Sequence, residues 1–207
     1  GLLTTGNNIS NLSTEGYTRQ RTLQASNPSV MTGAGGIGQG VHVVTVERMF
    51  SQALTTQVLN AQTNVSALDT YYAQVSQIDN MLADPNSGLS TALQEFFLAA
   101  QQVAASPASM AARQSMVSTA EGLVSRYQSL HGRLTELADG VNGQIGDIVE
   151  NINAYAQQIA ELNDRIVIAE SSVLQPANDL RDQRDQLVSE LNKLVRVTTV
   201  TQNDGSF

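Results

Sequence analysis

The residue pattern best able to hold a cofactor is Gly33-Ala34-Gly35-Gly36-Ile37-Gly38, a literal G-x-G-x-x-G. A dinucleotide fingerprint sets those glycines between a strand and a helix N-terminus, where backbone N–H groups meet a pyrophosphate. Here Gly40 and the β-branched run Val41-His42-Val43-Val44-Thr45-Val46 follow instead, so the motif reads as a hairpin loop and no cofactor is expected. Only His42 and His131 could shuttle protons near neutrality. One sits among valines and the other beside Leu130 on a helical stripe, and neither has carboxylates clustered near it in sequence. Asp182, Asp185 and Glu190 lack the spacing of an EF-hand or of HExxH zinc ligands. The run Asp179-Leu180-Arg181-Asp182-Gln183-Arg184-Asp185 reads as a solvated helix face, with Arg181 paired to Asp185 at i, i+4. Asn8-Ile9-Ser10, Asn11-Leu12-Ser13 and Asn64-Val65-Ser66 match the glycosylation pattern, which recurs by chance in an Asn/Ser-rich chain. With no cysteine there is no disulfide, thiolate nucleophile or cysteine zinc site. Catalytic, cofactor and metal sites are therefore all expected to be absent, and the chain is not read as an enzyme.

Composition points to protein contacts. Charged residues make up 14% of the 207 and aromatics 4%, whereas 71 residues are Gln, Asn, Ser or Thr. Such faces hydrogen-bond without like-charge repulsion and suit packing against other subunits. The net charge of −8 and the single lysine, Lys193, disfavour phosphate backbones and anionic lipid surfaces, so neither nucleic acid nor membrane is an expected partner. No apolar run approaches the roughly 18 residues of a membrane span.

The elements follow from periodicity. Residues 1–46 are rich in turn formers and hold two predicted strands, Tyr17 to Ala25 and Val41 to Val46, paired antiparallel across the glycine-rich loop. From Glu47 the period turns helical: Leu54, Val58, Ala61, Val65, Leu68, Tyr72, Val75 and Leu82 form a stripe expected to face a core. Asp84-Pro85-Asn86-Ser87-Gly88 ends that first helix. Thr91-Ala92-Leu93-Gln94 has capping-box spacing for a second, and Ser106-Pro107 reads as the N-cap and first residue of a third. The third carries an unbroken three-and-four stripe from Tyr127 to Ala169, with a break expected near 140–146, where Gly140, Gly143 and Gly146 each cost about 1 kcal/mol relative to alanine. Gln175-Pro176 stops it, Asn178 caps a fourth helix through Leu194, Arg196 to Thr201 reads as a strand, and Asn203-Asp204-Gly205 as a hairpin turn. The expected fold is mainly α, an elongated bundle of long antiparallel helices with a small β-hairpin region. Gly1 is not an initiator methionine and the last strand has no return partner, so the chain is expected to be part of a longer protein.

The segment Gly6-Asn7-Asn8-Ile9-Ser10-Asn11-Leu12-Ser13-Thr14-Glu15-Gly16-Tyr17-Thr18-Arg19-Gln20 resembles the N-terminal signature of bacterial flagellar axial proteins, N-(I/L)-(A/S)-N-x-x-T-x-G-Y-x-R. Gly38-Gln39-Gly40-Val41, with Val43, Val46 and Glu47-Arg48, fits the same pattern. Tyr71-Tyr72 through Ile78-Asp79, Leu89 to Phe97 and Ala177 to Leu187 narrow the likeness to the hook-associated members, and among them to the first junction between hook and filament. The alternatives are another axial protein (the second junction protein or a hook protein) or a coiled-coil signalling domain.

The resemblance implies a structural protein of the extracellular flagellum, exported unfolded through the type III apparatus and serving motility. Its partners would be hook protein, the second hook-filament junction protein, further copies of itself in a ring, and an export chaperone engaging a C-terminal segment. It also implies a division into residues 1–40, a remnant of the inner axial layer with a Gly-rich linker or hairpin; 41–200, an elongated helical domain; and 201–207, the start of an outer β-rich domain. The matched positions Asn7, Asn8, Ile9, Asn11, Thr14, Gly16, Tyr17 and Arg19 would form the partner interface, with Gly16 supplying the positive φ of a tight turn. The sequence departs from the pattern at Leu12 and Ser13, where small or polar residues are commoner.

Overall fold

A computed structural model describes residues 1–33, 35–82, 89–202 and 206–207. In chain order the elements are α1 (Leu2–Ser10), β1 (Gln20–Ser26), β2 (Val30–Thr32), β3 (Gly35–Ile37), β4 (Val41–Arg48), α2 (Gln52–Leu82), α3 (Leu89–Ala105), α4 (Met110–Val173) and α5 (Asn178–Leu194). The fold is mainly α, with two small antiparallel strand pairs. The chain forms two compact units, Gly1–Ser66 with Val149–Phe207, and Ala67–Ile148.

The expected ribbon is present as β1 paired with β4, Gln20 opposite Arg48 and Ser26 opposite Val41, with a bulge between Leu23 and Gln24. The glycine-rich segment is more ordered than a loop. Val30–Thr32 pairs with Gly35–Ile37 as a second hairpin, and Ala34 lies outside the described residues. Gly40 takes φ +77° and its carbonyl accepts the Asn27 N–H at 2.9 Å, which returns the chain to the main ribbon.

Helix starts differ from the sequence expectation in consistent ways. The third helix begins at Met110 rather than Pro107, because the Ser109 hydroxyl accepts the Ala112 N–H and caps it. Residues 89 and 90 are already helical, so Thr91 lies inside α3 rather than at its cap. Ala177, not Asn178, is the N-cap of α5; the Asn178 amide is drawn away to donate to the Val46 carbonyl of β4 at 2.8 Å. The stop before Pro176 holds: α4 ends at Val173 and Leu174 turns with φ +54°. No break occurs near 140–146. Helix α4 runs unbroken through Gly132, Gly140, Gly143 and Gly146, because its half-buried stripe, including Leu137, Val141 and Ile148, offsets the local glycine cost.

Two other expectations fail for want of a partner. Arg196 to Thr201 forms no strand, since no strand lies beside it among the described residues; Val197 donates its N–H to the Asn192 side chain instead. The stripe of α2 does not face a core. Leu54, Val58, Val65, Leu68 and Tyr72 are exposed, and the side that packs carries Leu59, Gln62 and Thr63. Thr63 donates to the Asn192 carbonyl at 3.0 Å, while buried Asn192 donates to the Leu59 carbonyl and the Thr63 hydroxyl, each at 2.7 Å. The α2–α5 contact is therefore polar, as sequence hydrophobicity could not indicate. Asp84 to Gly88 and Asn203 to Gly205, read as turns, lie outside the described residues.

Candidate functional site

The segment following α1 is held by one asparagine acting as a stand-in for backbone. The Asn8 side-chain oxygen accepts the Gln20 N–H at 2.9 Å and the Tyr17 hydroxyl at 2.8 Å, while its amide donates to the Gln20 carbonyl at 2.8 Å. This pins the end of α1 against the first residue of β1. The turn between them is tied locally: Asn11 donates to the Asn7 carbonyl and side chain at 3.0 and 2.9 Å, and Thr14 donates to Asn11 at 3.2 Å. Gly16 has φ +78°, and an ideal Cβ there would lie 2.6 Å from Gln186 Oε1 and 3.1 Å from Gln186 Cβ on α5. The positive φ favours glycine, and any side chain here would also have to displace the Gln186 side chain.

The turn is fixed to α5 through charge. Asp182 accepts the Thr18 N–H at 3.1 Å and, with Asp185, pairs with Arg48 Nη1 at 2.7 and 2.8 Å. The three side chains are only 9, 9 and 18% exposed, so each charge depends on the others. Asp179 accepts the Gln20 amide at 3.2 Å. Burial, followed by the nearby Asp182 and Asp179 carboxylates, pushes the Tyr17 phenol above its ordinary value, so it stays protonated and able to donate to Asn8.

The opposite side of α5 engages α4. Arg181 grips Glu170 through Nε and Nη2, both at 2.6 Å, and Glu170 also accepts the Ala177 N–H at 2.9 Å. Burial alone would raise the Glu170 carboxyl, but these hydrogen bonds and the Arg181 charge hold it below the usual value. Buried Arg184 donates to Asn163 at 2.9 Å and stacks over the Phe207 ring, 3.6 Å from its centroid. Desolvation, the largest influence on it, depresses the guanidinium.

The Asp179–Asp185 run is thus not a solvated face. Asp182 and Arg184 are buried, and Arg181 pairs with Glu170 rather than Asp185, because Asp185 is committed to Arg48. Five of the eight signature positions, Asn7, Asn11, Thr14, Gly16 and Tyr17, line one cleft of about 650 Å³ with Leu162, Arg165, Asp182 and Gln186 of α4 and α5. The other three do not. Asn8 is spent on Gln20 and Tyr17, Ile9 is 70% exposed, and exposed Arg19 contributes its carbonyl to the Met49 N–H at 2.7 Å. His42 stands exposed on β4 against Asn27 Oδ1 at 2.7 Å, and His131 is exposed on α4. Among the described residues, no group of three His, Cys, Asp or Glu side chains is placed to hold a metal ion, and no helix is long and apolar enough to cross a membrane.

The family model of the flagellar hook-associated protein FlgK helical domain matches residues 75–207. The chain belongs to the FlgK family. Flagellar hook-associated protein 1 of Salmonella typhimurium is 44% identical over 208 residues, covering 100% of this chain and 37% of the relative. The Escherichia coli protein of the same name is 41% identical over 208 residues, again across 100% of this chain and 38% of the relative. That of Bacillus subtilis is 29% identical over 212 residues, 99% of this chain and 42% of the relative. The chain therefore spans little more than a third of the Salmonella and Escherichia relatives.

In this FlgK-family chain, sequence reasoning found the signature turn but missed what holds it: Arg48, Gln20, Asn178 and the buried role of Asp182 and Asp185. One signal was available. In a chain with 14% charged residues, three aspartates and two arginines within seven positions form an unusual concentration. Their partners lie more than 130 residues away, at Arg48, or back along α4, at Glu170 and Asn163.

Proposed function

We propose that this chain is part of a structural, non-enzymatic component of the bacterial flagellum that joins hook to filament. Support comes from identity to proteins named flagellar hook-associated protein 1 across essentially the whole chain. The geometric observation that carries the reading is the signature turn, where Gly16 at φ +78° is wedged against Gln186 and five signature residues open on one cleft. A turn fixed this firmly presents a defined surface to neighbouring subunits. Asn7, Asn8, Ile9, Asn11, Thr14, Gly16, Tyr17 and Arg19 form that interface, some by facing the neighbour and Asn8 by holding the turn.

The protein is exported to the extracellular flagellum, meets hook protein on one side and the second junction protein on the other, and associates with its own copies in a ring. An export chaperone engages a segment outside this chain. Residues 1–40 belong to an inner axial layer with its linker, 41–200 to a helical domain, and 201–207 lead toward an outer β-rich domain. The experiment is Gly16→Val in the full-length protein. Cells should still export the variant but should swim poorly and release flagellin into the medium, because filament has no seat on the hook. Normal swimming would overturn the interface role of the turn.

A further inference from the structure

Buried Arg184 shares a carboxylate with a second arginine. Its Nη1 donates to Asn163 Oδ1 at 2.9 Å, and Asp185, 3.8 Å from its Nε, commits its other oxygen to Arg48 at 2.8 Å. Burial, the largest influence, and the like charges of Arg181 and Arg48 all act against the charged form. A cation so placed needs a neighbour that excludes water while still compensating its charge. The Phe207 ring supplies one: its centroid lies 3.6 Å from Arg184 Cζ, so the negative face of the ring meets the guanidinium. Asn163 closes the arrangement from α4. The same amide whose oxygen accepts Arg184 donates through Nδ2 to the Phe207 carbonyl at 3.4 Å.

Between α5 and this contact the described residues form no helix or strand, and Val195 to Gln202 is held at few points. The Val197 N–H donates to Asn192 Oδ1 at 3.1 Å, and Arg196 Nη2 donates to Asn64 Oδ1 at 3.1 Å. The Gln202 N–H donates to the Ser206 carbonyl at 2.8 Å, which ties the far end of the segment to the residue before Phe207. Apolar burial does not set its course, since Val195 and Val200 are exposed. We infer that Arg184 and Asn163 form a seat for the Phe207 ring, and that this clasp fixes the path by which the chain leaves the α4–α5 pair. The clasp stands on these contacts whether or not the junction reading holds; under that reading it sets the direction in which residues 201–207 lead outward.

Arg196 is exposed, and trypsin can cut after it only when the surrounding segment leaves its place. In the full-length protein under native conditions, Phe207→Ala is expected to raise the rate of cleavage between Arg196 and Val197 about tenfold, followed by mass spectrometry of the released peptides. Phe207→Tyr keeps the ring face and should stay within about twofold of the wild type, whereas Phe207→Leu keeps apolar cover without that face and should be cut at least about threefold faster. Hydrogen exchange at Thr18 and Gln20, on the other side of α5, should be unchanged in all three variants, because Asp182 and Asp185 keep Arg48. Three results would overturn the inference. Phe207→Ala might be cut no faster than the wild type, or Phe207→Leu might be as resistant as the wild type, which would leave only space-filling. Loss of protection at Thr18 and Gln20 alongside faster cleavage would make Phe207 part of the core of the unit rather than a clasp. None of the three touches the junction reading, which is tested separately by Gly16→Val.

Discussion

Among the described residues, four of the five buried apolar side chains, Leu162, Ile166, Val188 and Leu191, belong to the unit formed by residues 1–66 and 149–207, and only Ala99 belongs to the unit formed by 67–148. The buried polar groups Gln20, Asp182, Arg184 and Asn192 are all in the first unit too. The second keeps Tyr71, Tyr72, Phe97, Val124 and Tyr127 exposed. In the first unit, sequence-distant segments are locked by directional bonds around α5. In the second, helices rest on propensity and shallow packing. The signature turn is tied to the better-buried unit, through the Thr18 N–H on Asp182 and the Arg48 pairing with Asp182 and Asp185.

The largest effect is expected from Arg48→Ala, which strands the Asp182 and Asp185 carboxylates in a buried setting. A loss of about 4 kcal/mol is expected in urea unfolding followed by circular dichroism. Ile166→Ala, at a fully buried position of α4, should cost about 3 kcal/mol by leaving a cavity. Gly16→Ala should cost about 2 kcal/mol, from positive φ and the Gln186 contact together.

Much of the framework was legible from periodicity. The α4 stripe and the α5 stripe follow from apolar spacing, and they are covered where the stripe positions from Ile148 to Ala169 of α4 and from Leu180 to Leu191 of α5 are half-buried or buried; the β1–β4 pair follows from its β-branched run and the turn formers between the strands. The α2 stripe shows where the method stops. Spacing marks which residues share a face but not whether that face is covered, and α2 packs through Thr63 and Gln62 instead. The site divided the same way. Gly16 was readable as a turn residue from its local type, whereas the Arg48 cluster exists only because the fold joins β4 to α5 across more than 130 residues. Polar residues reveal such partners only in three dimensions.

Glu170 gives a pH-dependent test of the same unit. Its carboxyl is held below the ordinary value in the fold, so its contribution is present at neutral pH and is lost as pH falls through the depressed folded value. Glu170→Gln should therefore lower stability at pH 7 and flatten the acid side of the stability profile, as read by thermal unfolding at a series of pH values. The smallest effect belongs to the other unit. Tyr72→Ala, at a side chain 73% exposed, should change stability by no more than about 0.5 kcal/mol.

Native-state hydrogen exchange on the whole chain, wild type beside Arg48→Ala, tests most directly the claim that long-range polar contacts around α5 hold the signature turn. In the wild type, amides of α5 from Asp182 to Asn192 and of α4 around Leu162 to Ile166 should be the slowest to exchange, with α3 and the 110–148 part of α4 faster. In Arg48→Ala, protection should fall across α5 and at Thr18 and Gln20, while α3 is unchanged. If α3 is as protected as α5 in the wild type, or if Thr18 and Gln20 keep their protection without Arg48, the account is contradicted.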